Sequence, residues 1–296
     1  MKTNTDDKLL ATKRYKKRSL FGEIIFRLFK NKGATAGLII IAVMLLVLLA
    51  SLSISFEAII DGDARVRLNG PSLQYPFGTD HLGRNTFLRV IYGTRYSLAI
   101  GFGGSLISAF FGVTLGAIAG YYGKTVEDII MRMSEVLASI PGMLLGMVIV
   151  TVIGQSLTNL IIAVGVTTIP VYIRITRATI LPIRNQEYVE AARAIGLRNS
   201  RIIFRQVLPN ALSPIIVTYT INFGVMIIVA ASLSYMGFGI PVPHPEWGAL
   251  VADGRDFARS APYLMAFPGL FIMIVVLAFN LLGDGLRDAL DPKLKR

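Results

Sequence analysis

The chain has no cysteine, two histidines and one tryptophan among 296 residues, and only 16% of it is charged. Without thiols, disulfides, iron–sulfur clusters and thiolate metal sites are excluded. His81 and His244 stand far apart, each beside turn-forming residues. Asp80-His81 and His244-Pro245-Glu246 therefore read as turns, and no metal site is expected. No Ser/His/Asp set and no paired carboxylates are discernible, so this chain is not expected to be an enzyme. A soluble domain of this size would carry nearer ~25% charge. Here 53% of residues are hydrophobic and the mean hydropathy is +0.61. Long uncharged runs define an all-α polytopic membrane protein.

The most informative absence lies inside those runs, whose centres hold essentially no Asp, Glu, Lys, Arg or His. Ion-coupled carriers and pumps use intramembrane ionisable groups to carry the proton or bind the ion. A transporter without them draws its energy elsewhere; a membrane scaffold would also lack them. Gly123-Lys124-Thr125 ends like a phosphate loop, but Ile118 stands where that pattern needs its first glycine. Nucleotide binding by this chain is not expected.

In chain order, residues 1–33 form a basic segment, with an amphipathic stretch from Leu20 to Phe29 suited to a membrane surface. A first span covers 34–56 and is too long for a secretory leader. The longest loop, 57–95, follows. The core, 96–284, holds five more apolar runs, at about 97–121, 136–153, 157–173, 211–236 and 263–283, and a tail covers 285–296. Glycines at 101, 103, 104, 112, 116 and 120 suit close helix packing. Pro141-Gly142 should kink the third run or start its straight part. Asn222 and Asn280 are polar groups at membrane depth, placed either to line a pathway or to bond a neighbouring helix; the second is the plainer reading.

Charge tests this six-span topology. With both termini in the cytoplasm, the inner segments hold 23 of the 30 Lys and Arg and the two large outer loops hold seven. The positive-inside rule agrees. The net charge of +12 is thus topology, not a nucleic-acid footprint.

The longest charged interval of the second half is E-Y-V-E-A-A-R-A-I-G-L-R-N-S-R-I-I-F-R-Q-V-L-P, Glu187 to Pro209. It reads as two short helices with a break. Glu187 and Glu190 favour the first turn of the first helix, and Glu190 can pair with Arg193. Ala191, Ala192 and Ala194 leave little side chain, so another surface could approach. Gly196 suits the stop, and Asn199 or Ser200 could cap the second helix.

Glu190-Ala191-Ala192, Gly196 and Leu208-Pro209 resemble the EAA loop of permease subunits of bacterial ABC importers, here spanning 186–209. Gln206 replaces the usual isoleucine, with branched Val207 beside it. Phe77-Gly78-Thr79-Asp80-His81-Leu82-Gly83-Arg84-Asn85 resembles a signature of the dipeptide/oligopeptide permease group, with Asn85 in place of Asp. Pro243-His244-Pro245-Glu246-Trp247-Gly248 resembles that group's segment after the fifth helix. The resemblance covers about residues 20 to 290. It implies a type I ABC importer permease fold in the bacterial inner membrane. It further implies a homologous second permease, two P-loop ATPase subunits carrying ATP and Mg, and an extracytoplasmic solute-binding protein. No cofactor would be bound by this chain. Glu187 to Pro209 would be the ATPase-coupling loop, with Glu190 fixing the helix, Ala191 and Ala192 allowing docking, and Gly196 setting the turn. The group includes importers of peptides, nickel, glutathione and sugars. From other classes, a stand-alone channel or ion-coupled carrier, or a non-transporting scaffold, stays open.

Overall fold

The computed structural model describes residues 20–290, so the basic segment before Leu20 and the last six residues of the tail lie outside it. Among the described residues the chain is helical, with two isolated bridges and no strands. The helices are α1 Leu20–Lys30, α2 Lys32–Ser51, α3 Phe56–Ile60, α4 Thr86–Tyr122, α5 Lys124–Ser139, α6 Gly142–Ile153 and α7 Leu157–Ile183. They continue with α8 Glu187–Ala194, α9 Asn199–Ile202, α10 Leu208–Asn210, α11 Leu212–Tyr235, α12 Trp247–Gly254 and α13 Tyr263–Leu290.

Five helices, α2, α4, α7, α11 and α13, are each long and apolar enough to cross a membrane. The sixth crossing is broken. α5 and α6 meet at 88°, and α6, with 12 residues, reaches only about 18 Å at 1.5 Å per residue. Proline disfavours helical geometry in the residue before it, and Ile140, before Pro141, is extended at φ −87°, ψ 125°. Connectivity nonetheless requires a traverse here. α4 ends at Tyr121–Tyr122 beside α8, whereas Gln155, before α7, donates to the Gly237 carbonyl just beyond α11 at 2.7 Å.

The bundle thus has an α8 end and an α12 end. Asn31 donates to Asp288 at 3.1 Å, so the chain enters α2 and leaves α13 side by side. The first span ends at Ser51, short of the 34–56 expected from sequence, because Ser53 to Ser55 leave the helix and Ser55 caps α3. α7 runs ten residues past the expected 173, with Pro170 and Pro182 inside it. α13 continues to Leu290, so residues 285–290 belong to that helix.

The tightest helix pair is α4 with α7. Gly104, Ser108, Gly112, Gly116 and Gly120 repeat every fourth residue and so share one face of α4. A Cβ on Gly112 would lie 2.4 Å from the Tyr172 Cβ, and one on Gly116 would lie 2.6 Å from the Ile173 carbonyl. Into this close approach Ser108 sends its hydroxyl, 2.6 Å from the Gly165 carbonyl and 2.7 Å from Thr168 Oγ1. Small residues and an interhelical hydroxyl supply packing where lipid offers no hydrophobic drive.

Candidate functional site

At the α8 end, α8 is a two-turn helix lying on the bundle. Val189 and Ala192, three apart and hence on one face, are buried at 0% and 4% exposure. They join a cluster with Ala117 and Tyr121 of α4, Ile180 of α7, Ile202, Ile203, Val207 and Ala211, with Leu197 and Leu208 against it. The flank beside that face carries Tyr188, Ala191 and Ile195, exposed at positions i, i+3 and i+7, Ile195 to 76%. The side opposite the buried pair carries Glu187, Glu190 and Ala194, also exposed.

Gly196 ends the helix as its sequence requires. Its φ is +78°, its N–H donates to the Arg193 carbonyl at 2.9 Å, and the Leu197 N–H donates to the Ala192 carbonyl at 3.2 Å. That pair of bonds closes a Schellman motif. A Cβ at Gly196 would meet nothing within 4 Å, so the turn faces open space.

Two local expectations give way to a residue the sequence did not flag. Arg193 does not pair with Glu190. Its Nε donates to the Tyr121 hydroxyl at 3.1 Å, with the guanidinium 4.8 Å from the ring centre. Asn199 does not cap α9, whose preceding residue Arg198 offers no side-chain cap; it accepts the Tyr121 O–H at 3.1 Å. Tyr121 therefore bridges the break between α8 and α9. No local signal marks it, only its place at the end of an apolar run.

Beyond α9 the backbone widens into one π-helical stretch, Ile203–Val207. Val207 is fully buried in the cluster, and Gln206, at the isoleucine position, is half-buried. Leu208 is half-buried and Pro209 is exposed in the first turn of α10, where a missing N–H costs nothing. Asn210 donates to the Tyr188 hydroxyl at 3.2 Å, tying α8 to the foot of α11. Arg184 donates to the Gly120 carbonyl at 2.9 Å, and Arg177 pairs with Glu127, binding the feet of α4, α5 and α7 together.

The two remaining sequence signatures meet at the α12 end. Asp80 is 3% exposed. Its Oδ1 accepts the N–H groups of Leu82 and Arg84 at 2.9 Å each, and its Oδ2 accepts Arg84 Nε and Arg89 Nη1 at 2.7 Å each. Burial alone pushes the carboxyl up, but the Arg89 charge, the Arg84 N–H and the Arg84 charge outweigh it and hold Asp80 below the ordinary 3.8. Arg89 also reaches Asp253 at 3.5 Å. Gly78 and Gly83 take positive φ, and Gly83 packs against the Asp63 backbone. Thr79 accepts the Tyr263 O–H on its carbonyl at 3.1 Å, and Phe77 stacks on Phe267 at 4.0 Å. Leu82 is exposed. Asn85, in place of aspartate, still caps α4 by accepting from Phe87 and Leu88.

Glu246, 1% exposed, caps α12 through the N–H groups of Gly248 and Ala249 and accepts Ser97 Oγ at 3.2 Å. Trp247 is fully buried and donates Nε1–H to the Val90 carbonyl at 3.0 Å. Pro245 and Gly248 are buried against Gly93 and Ala231. His244 meets the Tyr96 hydroxyl at 2.9 Å and His81 stacks on Phe257. Among the described residues no group of three or more His, Cys, Asp or Glu converges to hold a metal ion. Asn222 is half-buried next to Tyr172, and Asn280 is exposed on α13.

Five apolar helices long enough to span, one broken crossing and a short helix lying on one end make the architecture of a multi-pass membrane permease. The chain belongs to the family described as binding-protein-dependent transport system inner membrane component, which matches residues 112–296. It is 44% identical over 273 residues, 92% of this chain and 90% of the relative, to a dipeptide transport system permease of Alkalihalophilus pseudofirmus. It is 46% identical over 230 residues, 77% of this chain and 76% of the relative, to a glutathione transport system permease of Pectobacterium atrosepticum. Among solved structures, the inward-facing MetNI methionine ABC transporter matches with TM-score 0.56 at 19% identity, over 69% of this chain and 98% of that one. An amino acid ABC transporter crystallised with histidines gives 0.53 at 18%, over 68% and 94%. The fold is that of a type I ABC importer permease, and its place is the bacterial inner membrane.

Proposed function

We propose that this permease imports di- and oligopeptides, with its α8 end in the cytoplasm and α8 seated on a separate ATPase subunit. The observation that carries the reading is the two-sidedness of α8: Val189 and Ala192 fix it to the bundle, while Glu187, Glu190 and Ala194 on the opposite side, and Ala191 and Ile195 beside them, stay exposed. The concentration of Lys and Arg in the segments at that end supports the orientation.

In the proposed cycle, ATP binding closes a pair of ATPase subunits and carries α8 with it. The buried cluster and Tyr121 pass that displacement to the feet of α4, α7 and α11 as one body, and the spans rotate to open outward. A homologous second permease completes the pathway and an extracytoplasmic binding protein delivers the solute. ATP and Mg act on the ATPases; this chain contributes no cofactor. Relatives named as dipeptide and di/tripeptide permeases at 40–44% identity support peptide cargo. The 46% identity to a glutathione permease favours glutathione, itself a small peptide, as the competing cargo.

Uptake of labelled dipeptide, glutathione and nickel into a deletion strain, with and without this chain restored, tests the reading. Restored, ATP-dependent dipeptide uptake is expected. Glutathione uptake alone moves the cargo to the second reading. Transport by vesicles holding this chain without ATPases replaces the importer with a stand-alone carrier.

A further inference from the structure

α2 is tied to α13 towards one end and to α4 at the other, and a groove opens between these ties. Towards the α8 end, Gly37 of α2 backs onto α13, where a Cβ would lie 2.6 Å from the Ala278 carbonyl. Towards the α12 end, Arg95 of α4 donates from Nε to Ser51 Oγ at 3.0 Å and from Nη2 to the carbonyls of Ser51 and Ile54. Between these ties α2, α4, α11 and α13 border an apolar cavity of about 470 Å³. Met44, Leu48, Phe223, Val275 and Phe279 line it, and Arg95 is the one charged residue in its wall. Leu45 and Phe102, exposed at 51% and 58%, flank it on the membrane-facing side.

Arg95 is also peculiar in its partners. Arg84 and Arg89 share Asp80, but Arg95 has no carboxylate partner among the described residues. It bonds only neutral oxygens and lies over the Tyr92 ring at 4.0 Å. Two residues later the uncharged run of α4 begins, which puts this guanidinium at headgroup depth. A half-buried cation there, its Nη1 group without a hydrogen bond among the described residues, has one nitrogen left to donate to an anionic oxygen, which a phosphate offers.

We propose that the groove is a phospholipid site, one acyl chain filling the cavity and the lipid phosphate resting on Arg95, in the leaflet at the α12 end. An apolar void open to hydrocarbon would leave its lining short of contacts, and acyl chains are what the bilayer supplies. A slender chain enters between Leu45 and Phe102, and the phosphate supplies the anion that an apolar helix of a second permease would lack. The lipid would splint α2, which otherwise exposes Ile39, Val43, Leu46 and Leu49 to the membrane, against the rest of the bundle.

The complex, purified with its partner subunits and placed in nanodiscs, is photolabelled with phosphatidylglycerol carrying a diazirine on its acyl chain, and labelled peptides are identified by mass spectrometry. Labelling concentrated on Met44, Leu48 and Phe102, above that on outward-facing Ile39 and Leu46, is expected. Ala99 also lines the cavity, and Ala99→Phe fills it without touching the Arg95 bonds. It should reduce groove labelling to the Ile39 level while the complex stays intact. Arg95→Gln should abolish the preference for phosphatidylglycerol over a diacylglycerol carrying the same label. Groove labelling equal to that at Ile39 in the unaltered complex, or cross-links from Met44 to a second permease in place of lipid, would overturn the proposal.

Discussion

Tyr121, one residue before the end of α4, holds Arg193 and Asn199 on the same hydroxyl, donating to Asn199 and accepting from Arg193 at 3.1 Å each. One side chain of a spanning helix thus fixes both sides of the α8–α9 break. Tyr121→Phe keeps the ring beneath Arg193 and removes both bonds. The loss should cost about 1 kcal/mol, about a factor of five in the equilibrium constant for docking α8 on the bundle. Solute imported per ATP hydrolysed in the reconstituted complex should fall, by at most that factor, with membrane insertion unchanged. An unaltered ratio would remove Tyr121 from the coupling path.

Gly196 separates a backbone requirement from a docking requirement. Its φ of +78° disfavours a side chain, but the space around its Cβ is open. Gly196→Ala should therefore cost only the left-handed backbone term, about 1–2 kcal/mol, and retain partial uptake. Asparagine tolerates this conformation, so Gly196→Asn tests the turn alone. Gly196→Asp adds charge to the exposed face beside Ile195 and should uncouple transport from ATP hydrolysis while leaving insertion intact. Normal uptake by the aspartate variant would show that this face is not engaged.

The features legible in the sequence were those set by neighbours in the chain. Pro141-Gly142 broke the third crossing where proline forbids helix, and Gly196 ended α8 through bonds spanning five residues. Five of the crossings followed from apolar length. What could not be read depends on distant partners. Arg193 has Glu190 three residues away, yet bonds Tyr121, 72 residues earlier. Asn199 carries a good capping side chain and spends it on the same hydroxyl. The Asp80 signature was visible as a pattern, but Asp253, which completes its ion pairs through Arg89, lies beyond four further crossings. The groove beside Arg95 has no sequence signal, since its walls come from four helices far apart in the chain.

The Asp80 network makes the α12 end acid-sensitive in a defined direction. Because the folded carboxyl titrates below its ordinary 3.8, its contribution to stability is complete above that value and lost as pH falls through the lower folded value. Thermal unfolding of the purified complex should show no contribution from Asp80 to any slope between pH 7 and 5, and a declining one below 3.8. In Asp80→Asn the neutral-pH midpoint should drop, since Arg84 and Arg89 lose their buried counter-charge, and the acid decline should shrink. An acid limb of the same size in the variant would assign it to other carboxylates.

Two glycine-to-alanine changes should act with opposite signs. At Gly112 the new methyl would lie 2.4 Å from the Tyr172 Cβ, a collision between two helix surfaces that no rotamer relieves. α4 and α7 must then separate, which strains the Ser108 bonds to Gly165 and Thr168 one turn away. Overpacking of this kind costs about 1–3 kcal/mol. Gly269, within α13, has nothing within 4 Å of its Cβ position. Alanine there meets no neighbour and restricts the unfolded backbone, gaining about 0.4–1 kcal/mol. The unfolding midpoint of the complex should therefore fall for Gly112→Ala and hold or rise for Gly269→Ala. Equal effects at both sites would mean that helix propensity, and not the α4–α7 approach, governs the stability of the bundle.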